Sequence, residues 1–581
     1  MKRNHRMIAR ILTIIFCFCI TFGTLNVFGL ESDGSSAALS GKVLEVQIPA
    51  PSLSNNILGE SDKQPAILYL PPSYDAGKKS YPVVYFLHGW ADELKLYKEG
   101  YRFKMKEVMD KLISEKRSEE MIVVIANANT KYLGSFFTNS SVTGNWEDFF
   151  VKDVVNYMDS NYRTQKDSKY RGLGGFSMGG YGALNIAMKH PDIFGSVYAL
   201  SPGLFNQNGL FNTVMFDSEN SITEYLKIEK ELNSKPLTEA KKELFDNIVN
   251  WKFSFPFIFA VSYGTCLSPD PDKVIPINYP YKQENGKLVL DKEVLKAWDS
   301  GFGNVQEEIV KYKENLLKLG EIRIDYAVHD GFKWIPEGNR YYAQVLKREG
   351  IPYTLLTFDG DHADKVNDRL EQYILPYFSK RFFSAPPVSS NSNIAPEEYR
   401  LASWAKDQVN TLWEKDMGDA KVFGDYNSNI SREEFAMLAI KLVEKYFGKA
   451  CEKADASTFN DIDQSIYAED ILKAYKLGIT KGKGNGKFNP KGQITRQEMA
   501  AMVFNLLKAI KPDGDYKAKS EVKFSDSDKI DSWAKDAHAY LFEQNIITGT
   551  DNLTISPLAN TTRQEALVIG YRTAKLLGVI Q

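Results

Sequence analysis

Between Gly41 and Phe383 the chain alternates short apolar runs with amphipathic stretches. The runs PVVYFL (82–87), MIVVIA (121–126), SVYAL (196–200), IRIDYAV (322–328) and YTLLTF (353–358) are β-branched and aromatic. They are apolar at nearly every position rather than every second one, as strands covered on both faces must be. Between them, WEDFFVKDVVNYMDSNY (146–162) puts Phe150, Val151, Val154, Val155 and Met158 on one helical stripe. This alternation predicts an α/β fold, a mostly parallel sheet with helices on both faces. One stretch breaks the rhythm. About 120 residues part Pro202 from Glu321, far more than an ordinary connection. They hold charged amphipathic helices (EYLKIEKELNSK, EEIVKYKENLLKLG) and the irregular YGTCLSPDPDKVIPINYPY. A lid or substrate wall inserted at 202–321 is expected, with a decorative subdomain as the alternative.

At SAPPVSSNSNIAPEE the apolar period vanishes, and residues 384–397 read as a linker. Beyond it the chain repeats itself. SWAKD occurs at 403–407 and 532–536, with IYAED (466–470) in the same place in a middle copy. Each copy then carries a tag: ISREEF (430–435), ITRQEM (494–499) and TTRQEA (561–566). The tag arginines, Arg432, Arg496 and Arg563, stand 64 and then 67 residues apart. Three helical modules sharing a core are predicted at 398–450, 451–515 and 516–581.

Composition changes the picture mainly at the N-terminus. Lys2, Arg3, Arg6 and Arg10 precede an apolar run, Ile11 to Phe22, too short to span a bilayer comfortably. Residues 1–29 read as a signal peptide, with an uncleaved anchor as the alternative, and 30–383 as the first domain. No other segment is apolar and long enough to cross a membrane. The chain is 43% hydrophobic, with 72 Lys+Arg against 74 Asp+Glu and a net charge of -2. That balance gives no general attraction to nucleic acid or an anionic surface. Cys17 and Cys19 lie in the signal, while Cys266 and Cys451 remain, far apart. There is no disulfide framework and no metal motif, and no metal or organic cofactor is expected.

The candidate chemistry lies in RGLGGFSMGGYGALNIAMKHP (171–191). Gly175-Phe176-Ser177-Met178-Gly179 fits G-x-S-x-G, a strand-to-helix corner that lifts a serine hydroxyl clear of the sheet. Gly180 and Gly182 are expected to let the helix press against neighbouring strands. A serine needs a base, and the base an orienting acid, in the chain order Ser, Asp or Glu, His. Of the histidines after the serine, His362 in TFDGDHAD follows a strand directly and is the expected base, with His329 the alternative. Asp330, just past the strand IRIDYAV, is the expected acid, against Asp325 and Glu337. The backbone N–H groups of Trp90 and Met178 are the expected oxyanion donors. The Trp90 ring either floors a substrate pocket or simply packs.

YFLHGW (85–90), GGFSMGGYGAL (174–184), HPDIFGSVYALSP (190–202), SPDPDKVIPINYPY and FDGDH (358–362) resemble the esterase D-type α/β-hydrolases. These include feruloyl and acetyl-xylan esterases, S-formylglutathione hydrolases and mycolyltransferases. The resemblance covers most of 41–380 and implies triad roles for Ser177, Asp330 and His362 and oxyanion roles for Trp90 and Met178. Two departures stand out. Ala327-Val328-His329-Asp330 replaces the family's Gly-Thr-x-Asp, and Gly360-Asp361-His362 replaces Gly-Gly-His.

The second half resembles three S-layer homology modules, which attach exported proteins to secondary cell-wall polymers. Ser431, Thr495 and Thr562 stand three residues before Glu434, Glu498 and Glu565, the capping-box spacing. Arg432, Arg496 and Arg563 at the first helical position are expected to make anion sites with free helix N–H groups. Copy one lacks the family's G-I-x-x-G and F-x-P elements, which copy two keeps in LGITKGKGNGKFNP. The whole predicts a secreted, wall-anchored serine esterase acting on acyl, feruloyl or acetyl esters of polysaccharide. An acyltransferase and a non-catalytic surface protein are the alternatives.

Overall fold

The computed structural model describes residues 40–54, 56–384, 393–519, 524–549 and 554–580. The expected signal segment, 1–29, lies outside the described residues. Eight strands form the main sheet: β1 (Lys42–Pro49), β2 (Lys63–Leu70), β3 (Val83–Leu87), β4 (Ile122–Ala126), β5 (Arg171–Phe176), β6 (Ser196–Leu200), β7 (Ile322–Ala327) and β8 (Tyr353–Phe358). Their order is β1-β2-β4-β3-β5-β6-β7-β8. Strands β3 to β8 are parallel, and the antiparallel β1–β2 pair closes one edge. This is the mostly parallel sheet that the apolar runs predict, in the α/β-hydrolase-like form that the resemblance implies.

The continuous apolar runs have a simple cause. Along β3, Val83, Tyr85 and Leu87 enter the core on one face, while Val84 and Phe86 enter the core on the other. Along β4, Ile122, Val124 and Ala126 split from Val123 and Ile125 in the same way. Neither face meets water, so neither set can be polar.

The stripe at 146–162 forms a helix with a difference. Residues Phe149–Val154 make a π turn between two α segments. The widened turn lets Phe149, Phe150 and Val151, consecutive in sequence, all bury. Helix α1 (Met178–Lys189) follows the serine, and the insertion at 202–321 contributes α2 (Phe255–Leu267) among other helices and a small hairpin. Helix α3 (Trp334–Arg348) follows β7.

The repeats form a separate apolar core. Each copy is a short helix followed by a longer one: α4 (Lys406–Glu414) and α5 (Arg432–Phe447), α6 (Ala468–Lys476) and α7 (Arg496–Ile510), α8 (Lys535–Glu543) and α9 (Arg563–Leu576). The capping boxes form in all three long helices, each cap hydroxyl accepting from the third helical N–H and each glutamate returning a bond. No helix among the described residues is long and apolar enough to cross a membrane.

Candidate active site

Ser177 sits between β5 and α1 with φ 57° and ψ -117°. That region is strained for any residue with a Cβ. The corner is held by the Ser177 N–H, which donates to the Leu200 carbonyl at 2.9 Å. The flanking glycines are sterically required. A Cβ on Gly175 would lie 2.1 Å from the Gly179 carbonyl oxygen, and one on Gly179 would lie 2.0 Å from that of Leu87. A Cβ on Gly180 would lie 3.0 Å from the Leu200 carbonyl oxygen, as a close helix–strand approach demands. Gly182 instead makes room for the Phe137 ring, so its partner is a loop rather than a strand.

Three segments from the carboxyl ends of β5, β7 and β8 converge here. His362 Nε2 is 2.8 Å from Ser177 Oγ, and His362 Nδ1 is 2.6 Å from Asp330 Oδ2. Asp330 is fully buried, and its other oxygen accepts the Phe332 N–H at 2.8 Å. Asp361, the departure at the base loop, ties the two loops together. Its Oδ1 accepts from the Gly331 N–H at 2.8 Å and from the His362 N–H at 2.7 Å. The alternatives go elsewhere. His329 is exposed and faces Asp359 at 3.0 Å. Asp325 is buried against Arg369 and the Tyr198 hydroxyl, and Glu337 accepts from Asn206 and Asn212.

The loop after β3 runs beside the serine. Among the described residues, neither the Trp90 nor the Met178 backbone N–H donates to a protein acceptor. His88 braces this loop: its Nε2 accepts the Ala128 N–H at 2.7 Å, which leaves Nδ1 to donate to the Gly89 carbonyl at 2.9 Å. Burial pushes the His88 imidazole below its ordinary value, consistent with a neutral ring in that tautomer. Asp92 adds a second brace, accepting from Tyr97 and Arg102. His88 precedes Ser177 in the chain, and the order Ser, Asp or Glu, His that points to a base carries no signal for such a loop support.

The insertion brings aromatic side chains to the site. Trp90 Nε1 donates to Ser262 Oγ at 2.8 Å. Its ring lies edge-on to Trp251, Phe255 and Phe259, with centroids 5.6, 5.6 and 5.4 Å away. Phe255 stacks on Phe332, and Phe332 stands edge-on to His362 at 5.0 Å. A wall of half-buried rings thus links the loop after β3 to His362. The run WKFSFPFIF (251–259) carries it, and its aromatic density was the legible signal.

The repeat arginines take another arrangement from the one expected. Arg432, Arg496 and Arg563 face Glu498, Glu565 and Glu434, at 3.5, 2.5 and 2.8 Å. Each arginine therefore meets the capping glutamate of the next copy, and the third returns to the first. The helix N–H groups of Arg432, Arg496 and Arg563 donate to the Gly492, Ala559 and Ser428 carbonyls. The free N–H groups that an anion site requires are taken up in closing the ring of repeats.

Among the described residues no His, Cys, Asp and Glu cluster could hold a metal ion. The family model for a putative esterase matches residues 61–241, and that for the S-layer homology domain matches 458–500 and 523–567. An amylopullulanase of Thermoanaerobacterium thermosulfurigenes is 30% identical over 178 residues, 29% of this chain and 9% of that protein. An endo-1,4-beta-xylanase/feruloyl esterase of Xylanibacter ruminicola is 31% identical over 147 residues, 24% of this chain and 20% of that protein. The chain thus spans no more than a fifth of the length of these two relatives. A solved ferulic acid esterase aligns over 59% of this chain and 99% of its own, with a TM-score of 0.39 and 22% identity. Residues 61–241 thus match the putative esterase family, and the segments that match the S-layer homology domain lie behind them.

Proposed function

We propose that this chain is an exported serine esterase held at the cell wall by its repeats. The observation that carries the reading is the single hydrogen-bonded line from Asp330 through His362 to Ser177. His362 takes the serine proton as Oγ attacks the ester carbonyl. Asp330 keeps the imidazole in the tautomer that presents Nε2 to the serine and stabilises the imidazolium. The carbonyl oxygen, now negative, is received by the Trp90 and Met178 N–H groups. Collapse of the tetrahedral intermediate expels the alcohol, protonated by His362. Water then enters by the same route, with His362 again as base, and releases the acid.

The half-buried rings around the serine suit a flat acyl group, and a feruloyl or similar aryl ester on polysaccharide is the substrate class we infer. The feruloyl esterase named among the relatives supports that class. The S-layer homology match supports a wall polymer as the anchoring partner. The basic-then-apolar segment at 1–29 supports export. We assign 30–383 to catalysis, 384–397 to the linker, and 398–450, 451–515 and 516–581 to the anchor. Arg432, Arg496 and Arg563 serve wall binding by holding the surfaces between repeats in shape.

The test is a panel of feruloyl, acetyl and longer acyl esters assayed with the wild type and Ser177→Ala. The variant is expected to lose about 10⁴–10⁶-fold in kcat. Equal rates for the two proteins on every ester would sink the reading.

A further inference from the structure

Helix α3 presents a polar stripe on one face. Arg340, Gln344, Lys347 and Arg348 fall at helical spacing on adjacent turns. On an isolated esterase half this stripe would meet water. Instead it meets Glu397, at the end of the linker, and the segment that joins the two helices of copy one. Arg340 donates to Glu397 at 2.7 Å and to the Ala420 carbonyl at 3.2 Å. Gln344 donates to Asp416 and the Gly418 carbonyl and accepts the Ala420 N–H at 3.0 Å. Arg348 grips both oxygens of Asp416, at 2.8 and 3.0 Å, and Lys347 donates to the Trp413 carbonyl.

The contact is dry at its centre. The Arg340 and Glu397 side chains are 5% and 1% exposed. Glu397 also accepts from the Tyr326 hydroxyl on β7 and from the Asp425 N–H. Ala420 of copy one is buried within the core of the catalytic half. Gly424 has no room for a side chain, since a Cβ would lie 2.7 Å from Arg340 and from Glu397.

The equivalent segment of copy two is open. Lys481, Lys483 and the run from Gly484 to Lys487 are exposed. The repeated aromatic position shows a matching asymmetry. Trp404 and Trp533 are 52% and 55% exposed, but Tyr467 is 4% exposed. Its hydroxyl donates to Asp419, which also accepts from Gln207 of the catalytic half. Copy one is also the copy that lacks G-I-x-x-G and F-x-P.

We propose that copy one is an adaptor: residues 413–424 and Glu397 form a docking surface for α3, and wall attachment falls to copies two and three. The second half of this proposal rests on the anchoring role assigned above. Catalytic and anchoring halves then move as one body, with the active site held at a set angle to the wall. The recognition is electrostatic and geometric. Three cations on a rigid helix face two carboxylates and a row of carbonyls, and a basic loop like that of copy two, with Lys481, Lys483 and Lys487, would leave them unpaired.

Docking is tested on the full chain by hydrogen exchange, comparing wild type with a Glu397→Ala, Asp416→Ala double variant. Wild type is expected to protect residues 340–348 and 413–424. The variant is expected to exchange there about tenfold faster, with ester turnover at 25 °C within about twofold of wild type. Unchanged exchange in a variant folded by circular dichroism would overturn the docking.

Attachment is tested by co-sedimenting the full chain with purified wall fragments. Lys421→Ala in copy one is expected to bind within about twofold of wild type, and Lys481→Ala with Lys487→Ala to bind about tenfold more weakly. A loss with Lys421→Ala equal to that of the copy-two variant would overturn the adaptor role. Failure of the wild type to bind any wall fragment would overturn the anchoring role itself. Docking would then stand or fall on exchange alone.

Discussion

Ser177 holds a backbone conformation that its neighbours enforce from three sides: the Leu200 carbonyl, Gly175 and Gly179. The strain is set by the chain and released by nothing in the resting state, so the hydroxyl stays in reach of His362. Gly179→Ala is expected to cost about 3 kcal/mol in urea unfolding, because its Cβ would collide with a strand carbonyl. Gly203→Ala meets nothing within 4 Å and should cost less than about 0.5 kcal/mol. Asp330→Asn keeps the shape of the site and removes the charge behind the imidazole. It is expected to lower kcat about 10⁴-fold with KM little changed. The serine was legible in the sequence because glycine spacing is a local property. Asp330 and His362 were narrowed by chain order, and their meeting depends on β7 and β8 lying side by side.

At the scale of elements, the capping boxes of the repeats do two jobs. Glu434 closes the N-terminus of α5 and also receives Arg563 from copy three, at 2.8 Å. Burial works to raise the Glu434 carboxyl, but Arg563 and the Ser431 N–H outweigh it and hold it below its ordinary 4.5. The unfolded chain therefore binds the proton more readily than the folded one. The stabilisation is present above about pH 4.5 and is lost as pH falls through the lower folded value. Ser431→Ala removes only a cap and should cost about 1 kcal/mol. Glu434→Gln also leaves Arg563 without its anion and should cost about 3 kcal/mol at pH 7. The gap between the two variants, measured by thermal unfolding, should shrink on acidification below about pH 4.5. The sequence announced the caps through a three-residue spacing. It was silent on the arginine partners, which stand 66, 69 and 129 residues away in the chain.

At the scale of the molecule, the repeats close on themselves. The Ile430 N–H donates to the Thr561 carbonyl, and Arg496 of copy two leans on Glu565 of copy three. Copies one and two therefore lack a complete core and complete backbone pairing without copy three. Deleting residues 516–581 is expected to make 393–515 protease-sensitive and to abolish co-sedimentation with wall fragments. Survival of that segment under the digestion that the full chain resists would argue for self-sufficient modules. The insertion teaches the same lesson. Its charged helices dominate the sequence, but the segment that reaches the Trp90 ring is the aromatic run from Trp251 to Phe259.

What the sequence determined by itself is whatever a short window can encode: the apolar runs of the strands, the serine corner, the capping boxes, the period of the repeats. Each follows from the φ, ψ and solvent preferences of a few neighbouring residues. Only the tertiary structure decided which charges meet. Arg432, Arg496 and Arg563 turn from waiting anion sites into ring closures, and Arg340 finds Glu397, because a charge is satisfied by the nearest opposite group in space. Nearness across a folded surface is a property of packing, and no local pattern carries it.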